Sequence, residues 1–265
     1  MAWAPVLLAV TALDVAAQAV RSTRGQDPWL GLAGPLEAEP GPAALFDGGP
    51  LTERSGLWAA RRALFGLPDL ASSALAGGLA GRWGRWNGGL HALDAGDWHE
   101  RQALLRWSPA RPPAEGLDWA LGIEARQTQC QDLRLGEAWL LADAGWRLGP
   151  LGLQGRLSLP RGLLTAAQGD RATVGQRLAL GWELGQGWGL AWRLEREGLQ
   201  QGEQAALALR RGDWGLAAAW RPGRGWEAAA RARWRGLAIS CSWWVHPVLP
   251  PTPAWGVEWR GEQRP

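Results

Sequence analysis

Apolar and polar positions alternate one by one between Gly225 and Arg235. Trp226, Ala228, Ala230, Ala232 and Trp234 fall on one side of this stretch. Glu227, Ala229, Arg231, Arg233 and Arg235 fall on the other. A period of two residues is the mark of a β-strand with unlike faces. The same rhythm predicts strands near 56–64, 71–82, 85–94, 98–107, 116–126, 135–147 and 150–159. It predicts seven more near 172–184, 187–197, 202–211, 214–221, 225–234, 236–245 and 254–261. Fourteen is the reading, with twelve as the lower bound. Each segment is about as long as a tilted strand must be to cross a bilayer.

The connections sort by parity. Even-to-odd joins are tight: Trp83-Gly84, Gly149, Gly185-Gln186, Gly212-Asp213 and Arg235-Gly236. Odd-to-even joins include longer stretches, at Gln127 to Arg134, Pro160 to Arg171 and His246 to Pro253. The Pro-rich stretch Ser108 to Gly116 is an exception on the short side. Short turns at one end and longer loops at the other suit a closed antiparallel transmembrane β-barrel, an all-β fold.

Facing follows from the alternation. Leu178, Leu180, Trp182 and Leu184 are expected outward on the eighth strand, and Leu237, Ile239, Cys241, Trp243 and Val245 on the thirteenth. Trp83, Trp86, Trp107, Trp146, Trp182, Trp188, Trp214 and Trp234 lie near the short turns. Trp98, Trp220, Trp226, Trp243 and Trp255 lie near the other end. Two such bands match aromatic girdles, where an indole buries its rings and keeps its N–H wet. Apart from Trp98, these are expected to anchor the chain at the membrane interfaces, with outer-membrane lipid as the partner.

The opposite face carries charge. Glu124, Arg126, Glu137, Arg156, Arg177, Glu183, Arg193, Glu195, Glu227, Arg231, Arg233, Glu258 and Arg260 are the candidates to line the lumen. Opposite signs on neighbouring strands pair across the wall, which offsets the cost of enclosing them.

Ahead of the strands, the apolar run Ala2 to Leu13 and the ending Ala17-Gln18-Ala19 predict an export signal over 1–19. Residues 20–55, rich in Gly, Pro and acid, read as a plug or periplasmic extension, and 56–265 as the barrel. No later stretch reaches eighteen uninterrupted apolar residues, so no transmembrane helix is expected.

Composition narrows the function. The 265 residues include 21 tryptophans and no tyrosine, a bias that looks like G+C pressure and makes tryptophan position more telling than number. The net charge of +3 is spread among acids rather than gathered in a stripe, which argues against nucleic-acid binding. Cys130, in a predicted loop, and Cys241, in mid-strand, are the two cysteines and are poorly placed to bridge. No zinc spacing, phosphate loop, dinucleotide fingerprint or nucleophile elbow is present. His91, Asp94, Asp97 and His99 cluster near one loop and could in principle hold a metal, but a solvated polar tip is the simpler reading. Neither an enzyme nor a cofactor is expected.

The stretch Ala43-Ala44-Leu45-Phe46-Asp47-Gly48-Gly49-Pro50-Leu51, followed by Ser55-Gly56-Leu57, resembles the start of FadL-like and PorV/PorQ-like outer-membrane barrels. Arg62 to Leu70 is similar to the first hairpin of the PorV-like members, and His246-Pro247-Val248-Leu249 to their last. Those members carry Asn-Pro-Ala where this chain has Asp47-Gly48-Gly49. The resemblance implies fourteen strands, the cell outer membrane and passive transport of a small hydrophobic or amphiphilic ligand. It also leaves open a non-transporting barrel that scaffolds secreted surface proteins together with secretion-system proteins. A soluble lipid-binding barrel is the third reading.

Overall fold

Gly56 of the first strand pairs with Arg260 of the last, and that register closes the sheet. The computed structural model describes residues 55–67, 69–111, 115–161, 175–197 and 200–261. The predicted export signal, and all of the predicted plug but Ser55, lie outside the described residues.

The strands are β1 (Gly56–Ala63), β2 (Leu70–Gly81), β3 (Gly84–Ala95), β4 (Trp98–Ser108), β5 (Leu117–Cys130), β6 (Leu133–Leu148) and β7 (Leu151–Arg161). They continue as β8 (Gly175–Gly185), β9 (Trp188–Glu197), β10 (Gln200–Arg211), β11 (Trp214–Arg221), β12 (Gly225–Trp234), β13 (Leu237–Val245) and β14 (Thr252–Arg260). Every strand pairs antiparallel with its chain neighbours, and β14 returns to β1, giving a closed barrel of fourteen strands. The helical element among the described residues is one 3-10 turn, Leu64–Gly66, between β1 and β2.

Residue choice explains the tight turns. Gln186 and Gly187 both take positive φ, as do Arg235 and Gly236. That conformation matches the right-handed twist of two antiparallel strands. At Gly187 a Cβ would stand 1.9 Å from the Arg210 carbonyl oxygen, and that carbonyl's own residue donates its N–H to the Gly187 carbonyl. Only glycine fits there.

Side chains then alternate as the pleat demands. On β11, Trp214, Leu216, Ala218 and Trp220 are exposed on the outer wall, whereas Gly215, Ala217, Ala219 and Arg221 are buried inside. Leucines, alanines and tryptophans repeat this outward pattern on every strand from β7 to β14. Inside, one apolar cluster gathers Trp58, Leu104, Trp139 and Leu141 with a run of alanines including Ala191, Ala208, Ala219 and Ala229. A second, of Leu64, Phe65, Leu93 and Trp244, sits at the long-loop end.

One expectation about a loop is corrected, and with it the placement of Cys130. The stretch 127–134 is not a loop, because β5 and β6 extend through it to a two-residue turn at Gln131 and Asp132. Cys130 therefore ends a strand, and Cys241 is on the outer side of β13. Both cysteines are free. Gln127, Thr128 and Gln129 are polar on both faces, so they gave no alternation to read, yet their backbones pair with Gly136, Leu135 and Arg134.

Candidate functional site: the charged inner wall

The inner wall is built from ion pairs that step between strands. Glu227 on β12 gathers one such group. It receives Arg221 at 2.8 Å, Arg62 of β1 at 3.3 Å and the Ser242 hydroxyl at 3.1 Å. Trp244 walls this group in, with its ring beneath the Arg221 guanidinium and its Nε1–H donated to the Arg224 carbonyl.

A second group centres on Asp143 of β6, which holds Arg106 of β4 at 2.8 Å and Arg156 of β7 at 2.7 Å. Arg126 of β5 forms a third, with Glu124 at 2.9 Å and with Glu100 and Glu137 at 3.8 and 3.7 Å. Glu258 receives both Arg231, at 2.6 Å, and Arg260. Arg177 meets Glu195 at 2.5 Å, and Glu183 collects Arg147 and Arg210 near the short turns. Two arginines on one carboxylate recur throughout. Some of these charge-assisted bonds tie neighbouring strands, as Arg156–Asp143, Arg177–Glu195 and Arg221–Glu227 do, and others reach across an intervening strand, as Arg106–Asp143 and Arg231–Glu258 do.

The predicted candidates thus fall as follows. Glu124, Arg126, Glu137, Arg156, Arg177, Glu183, Glu195, Glu227, Arg231, Glu258 and Arg260 all join one of these inward groups. Arg193 is also buried on the inner face. Glu137 and Arg233 lie on the inward side of their strands but are exposed. Sequence reasoning missed Arg62, Arg85, Glu100, Arg106, Asp118 and Asp143, although Arg85 meets Asp118 at 2.5 Å. Strand parity alone would have found them, since Asp143 alternates with Ala142, Ala144 and Trp146.

The histidine group is split by the wall. His91 faces inward and shares a hydrogen bond with Ser72 at 2.8 Å. His99 and Asp94 meet on the outer side at 2.8 Å, with Arg101 on the same carboxylate. The two-residue turn between β3 and β4 reverses the facing parity, which puts the two histidines on opposite faces, so they cannot share a metal. Among the described residues, no group of three His, Cys, Asp or Glu is placed to hold one.

Tryptophans stand on the outer wall in two tiers. Trp86, Trp107, Trp146, Trp182, Trp188, Trp214 and Trp234 are outward near the short turns, with Trp83 in a turn itself. Trp220, Trp226, Trp243 and Trp255 are outward at the other end, where Trp220 and Trp226 pair across β11 and β12 with ring centroids 6.4 Å apart. Trp119 and Trp259 join them without having been singled out, and Trp192 is outward on β9 as the alternation of that strand predicts. Trp98 does not: it points inward and packs against the cluster around Leu93 and Trp244.

No family model matches the chain, and no curated protein sequence matches it. Among solved structures it is similar to the KdgM porin, at 6% identity and a TM-score of 0.48 over 78% of this chain and 99% of that one. The same coverage holds for KdgM porin in complex with disordered oligogalacturonate, at 5% identity and a TM-score of 0.46. It holds too for a mutant of Rh. blastica porin, at 11% identity and a TM-score of 0.40.

Proposed function

We propose that this chain is an integral barrel of the bacterial outer membrane through which a small amphiphilic solute passes passively. The observation that carries the reading is the opposition of faces across one closed wall. Leucine, alanine and tryptophan cover the outside, and arginine–carboxylate groups cover the inside. Closure matters physically, because lipid cannot satisfy an open sheet edge. The outer surface in turn would be a very large apolar patch for a protein surrounded by water.

The inner wall suits an amphiphile better than a wholly hydrophobic cargo. Alanines of β9 to β12, such as Ala191, Ala208, Ala217 and Ala219, make an apolar strip beside Arg193, Arg221 and Glu227. Each of these residues is at most 6% exposed, so a solute would reach this mixed apolar and charged strip only where the covering side chains part. This keeps the passive transport implied by the FadL-like resemblance and moves the cargo toward the polar side.

The test is flux into liposomes carrying the purified full chain. Uptake of a short-chain fatty acid or a similar amphiphile above that of protein-free vesicles is the expected result. Absence of flux with any amphiphile, from protein whose gel migration still changes on heating, would overturn transport while leaving the membrane barrel standing.

A second reading, a barrel that scaffolds secreted proteins without conducting, is favoured by one observation. Trp58, Arg106, Glu227, Trp244 and Glu258 are each at most 2% exposed, so the inner wall is closely covered at these points. Co-purification of a secreted client, together with absent flux, would select it.

A further inference from the structure

The two ends of the outer wall are unlike. Near the short turns, outward tryptophans run from Trp86 on β3 to Trp259 on β14. At the long-loop end, among the described residues, they occur between β9 and β14, as Trp192, Trp220, Trp226, Trp243 and Trp255. From β1 to β6 that rim instead presents polar side chains outward: Arg61, Asp94, Arg101, Gln127 and Arg134. Among the described residues, that half of the perimeter lacks the residue that normally anchors a barrel at an interface.

A trough lies in the wall just below that polar arc. Ala103, Ala125 and Ala138 are register partners on β4, β5 and β6, and their small side chains form its floor. Leu90 flanks them on β3, and Leu105, Ile123 and Leu140 form the next register row toward the short turns. The trough encloses about 650 Å³ and is almost wholly apolar. One register step above the alanines stand Arg101, Gln127 and Gly136, and one further step above lie His99, Gln129 and Arg134.

Arg101 is held rather than mobile. Its guanidinium donates to Asp94 Oδ1 at 2.8 Å and to the carbonyls of Leu93 and Glu100 at 3.2 and 3.1 Å. Its side chain still stays 52% exposed. Arg134, two strands along, is exposed as well. Arg101 and Arg134 thus stand one and two register steps above an apolar trough on the same outer face.

We propose that this face binds one class of lipid, an acyl lipid whose headgroup carries an anionic phosphate. The acyl chain lies along Ala103, Ala125 and Ala138, and the phosphate sits between Arg101 and Arg134. The choice of occupant rests on charge complementarity. A zwitterionic headgroup brings its own cation and gains little here, whereas an anionic phosphate gains from Arg134 and from what the Asp94 pair leaves of the Arg101 charge. A second copy of this chain would bring the same arginines against each other. The proposal takes the membrane-barrel reading as its premise.

The experiment is native mass spectrometry of the full chain released from detergent with phosphatidylglycerol or phosphatidylcholine added at equal concentration. Phosphatidylglycerol should be retained about tenfold more tightly, from roughly a fewfold gain per surface arginine. In R101Q/R134Q the preference should vanish. In A125W, which fills the trough from the lipid side, retention of phosphatidylglycerol should fall although both arginines remain. Inorganic phosphate at millimolar concentration should not displace the lipid.

Equal retention of the two lipids by the unaltered chain would overturn the proposal. So would displacement by free phosphate, which assigns the arginines to a soluble anion. A dimer peak lost in A125W would overturn it in favour of a second copy. Heat-dependent gel migration, recorded for each variant, reports separately on the barrel. Its absence in the unaltered chain would remove the membrane reading itself.

Discussion

The Arg106 guanidinium lies 2.8 Å from the Asp143 carboxylate although a whole strand stands between them. Arg106 is on β4, Asp143 on β6, and the residue opposite Arg106 on the intervening β5 is Gly122. A Cβ on Gly122 would come within 2.7 Å of both Arg106 Cγ and the Leu105 carbonyl oxygen. Glycine is therefore the opening through which the arginine crosses. Gly122→Val should drive the Arg106 side chain off its path and cost about 1–3 kcal/mol, the usual range for overfilling a packed site. Denaturant titration of the folded barrel in detergent measures it. Full stability in Gly122→Val would mean that the crossing is not needed.

Asp143 is shared by Arg106 and Arg156, so its removal acts on both. Arg106 is fully buried and Asp143 is 5% exposed, which leaves little water to take over the carboxylate's role. Asp143→Ala should destabilise by about 3 kcal/mol, as expected when one side of a buried pair is deleted. Glu137→Ala is the contrast. Its carboxylate is half exposed and stands 3.7 Å from Arg126, so its loss should cost at most about 1 kcal/mol. Equal effects would show that the inner ion pairs do not depend on burial.

How much of this was legible in the sequence differs between wall and lumen. The barrel wall is a local property. Each of Leu178, Leu180 and Trp182 can be assigned outward from its own neighbours, and turn parity then counts strands. The inner groups are not local. Arg62 and Glu227 are 165 residues apart and not on neighbouring strands, so their meeting depends on strand inclination and curvature. His91 and His99 show the opposite limit. Their nearness along the chain suggested one cluster, and their even spacing hid the split: the two-residue turn at Gly96-Asp97 reverses the parity between β3 and β4, so His99 is opposite Asp94 and His91 opposite Gln102.

The two cysteines report directly on depth. Cys241 is outward in the middle of β13, with Ala230 and Trp255 as register partners, so lipid should cover it. Cys130 ends β5 at the long-loop end, beside Trp98 and Leu133. In proteoliposomes a charged maleimide should label Cys130 and leave Cys241 unlabelled until the membrane is dissolved. An apolar maleimide should reach both. Rapid labelling of Cys241 by the charged reagent in intact vesicles would be incompatible with the outer wall facing lipid.

The loop between β13 and β14 should respond to acid through His246. The imidazole Nδ1 accepts the backbone N–H groups of Val248 and Leu249, at 3.2 and 3.3 Å, so that nitrogen must be unprotonated. The ring also stands edge-on to Trp244, with centroids 5.7 Å apart. Partial burial lowers the His246 pKa below its ordinary 6.5. A folded-state pKa below the unfolded one means that the unfolded loop takes up the proton more readily. The stabilising contribution is therefore complete above about pH 6.5 and is lost as pH falls through the lowered folded value. Amide exchange at Val248 and Leu249, corrected for intrinsic rates, should accelerate on going from pH 7.5 to pH 5. In His246→Ala it should already be fast at the higher pH and change little. Exchange in the unaltered chain that stays flat across this range would show that the imidazole does not hold the loop.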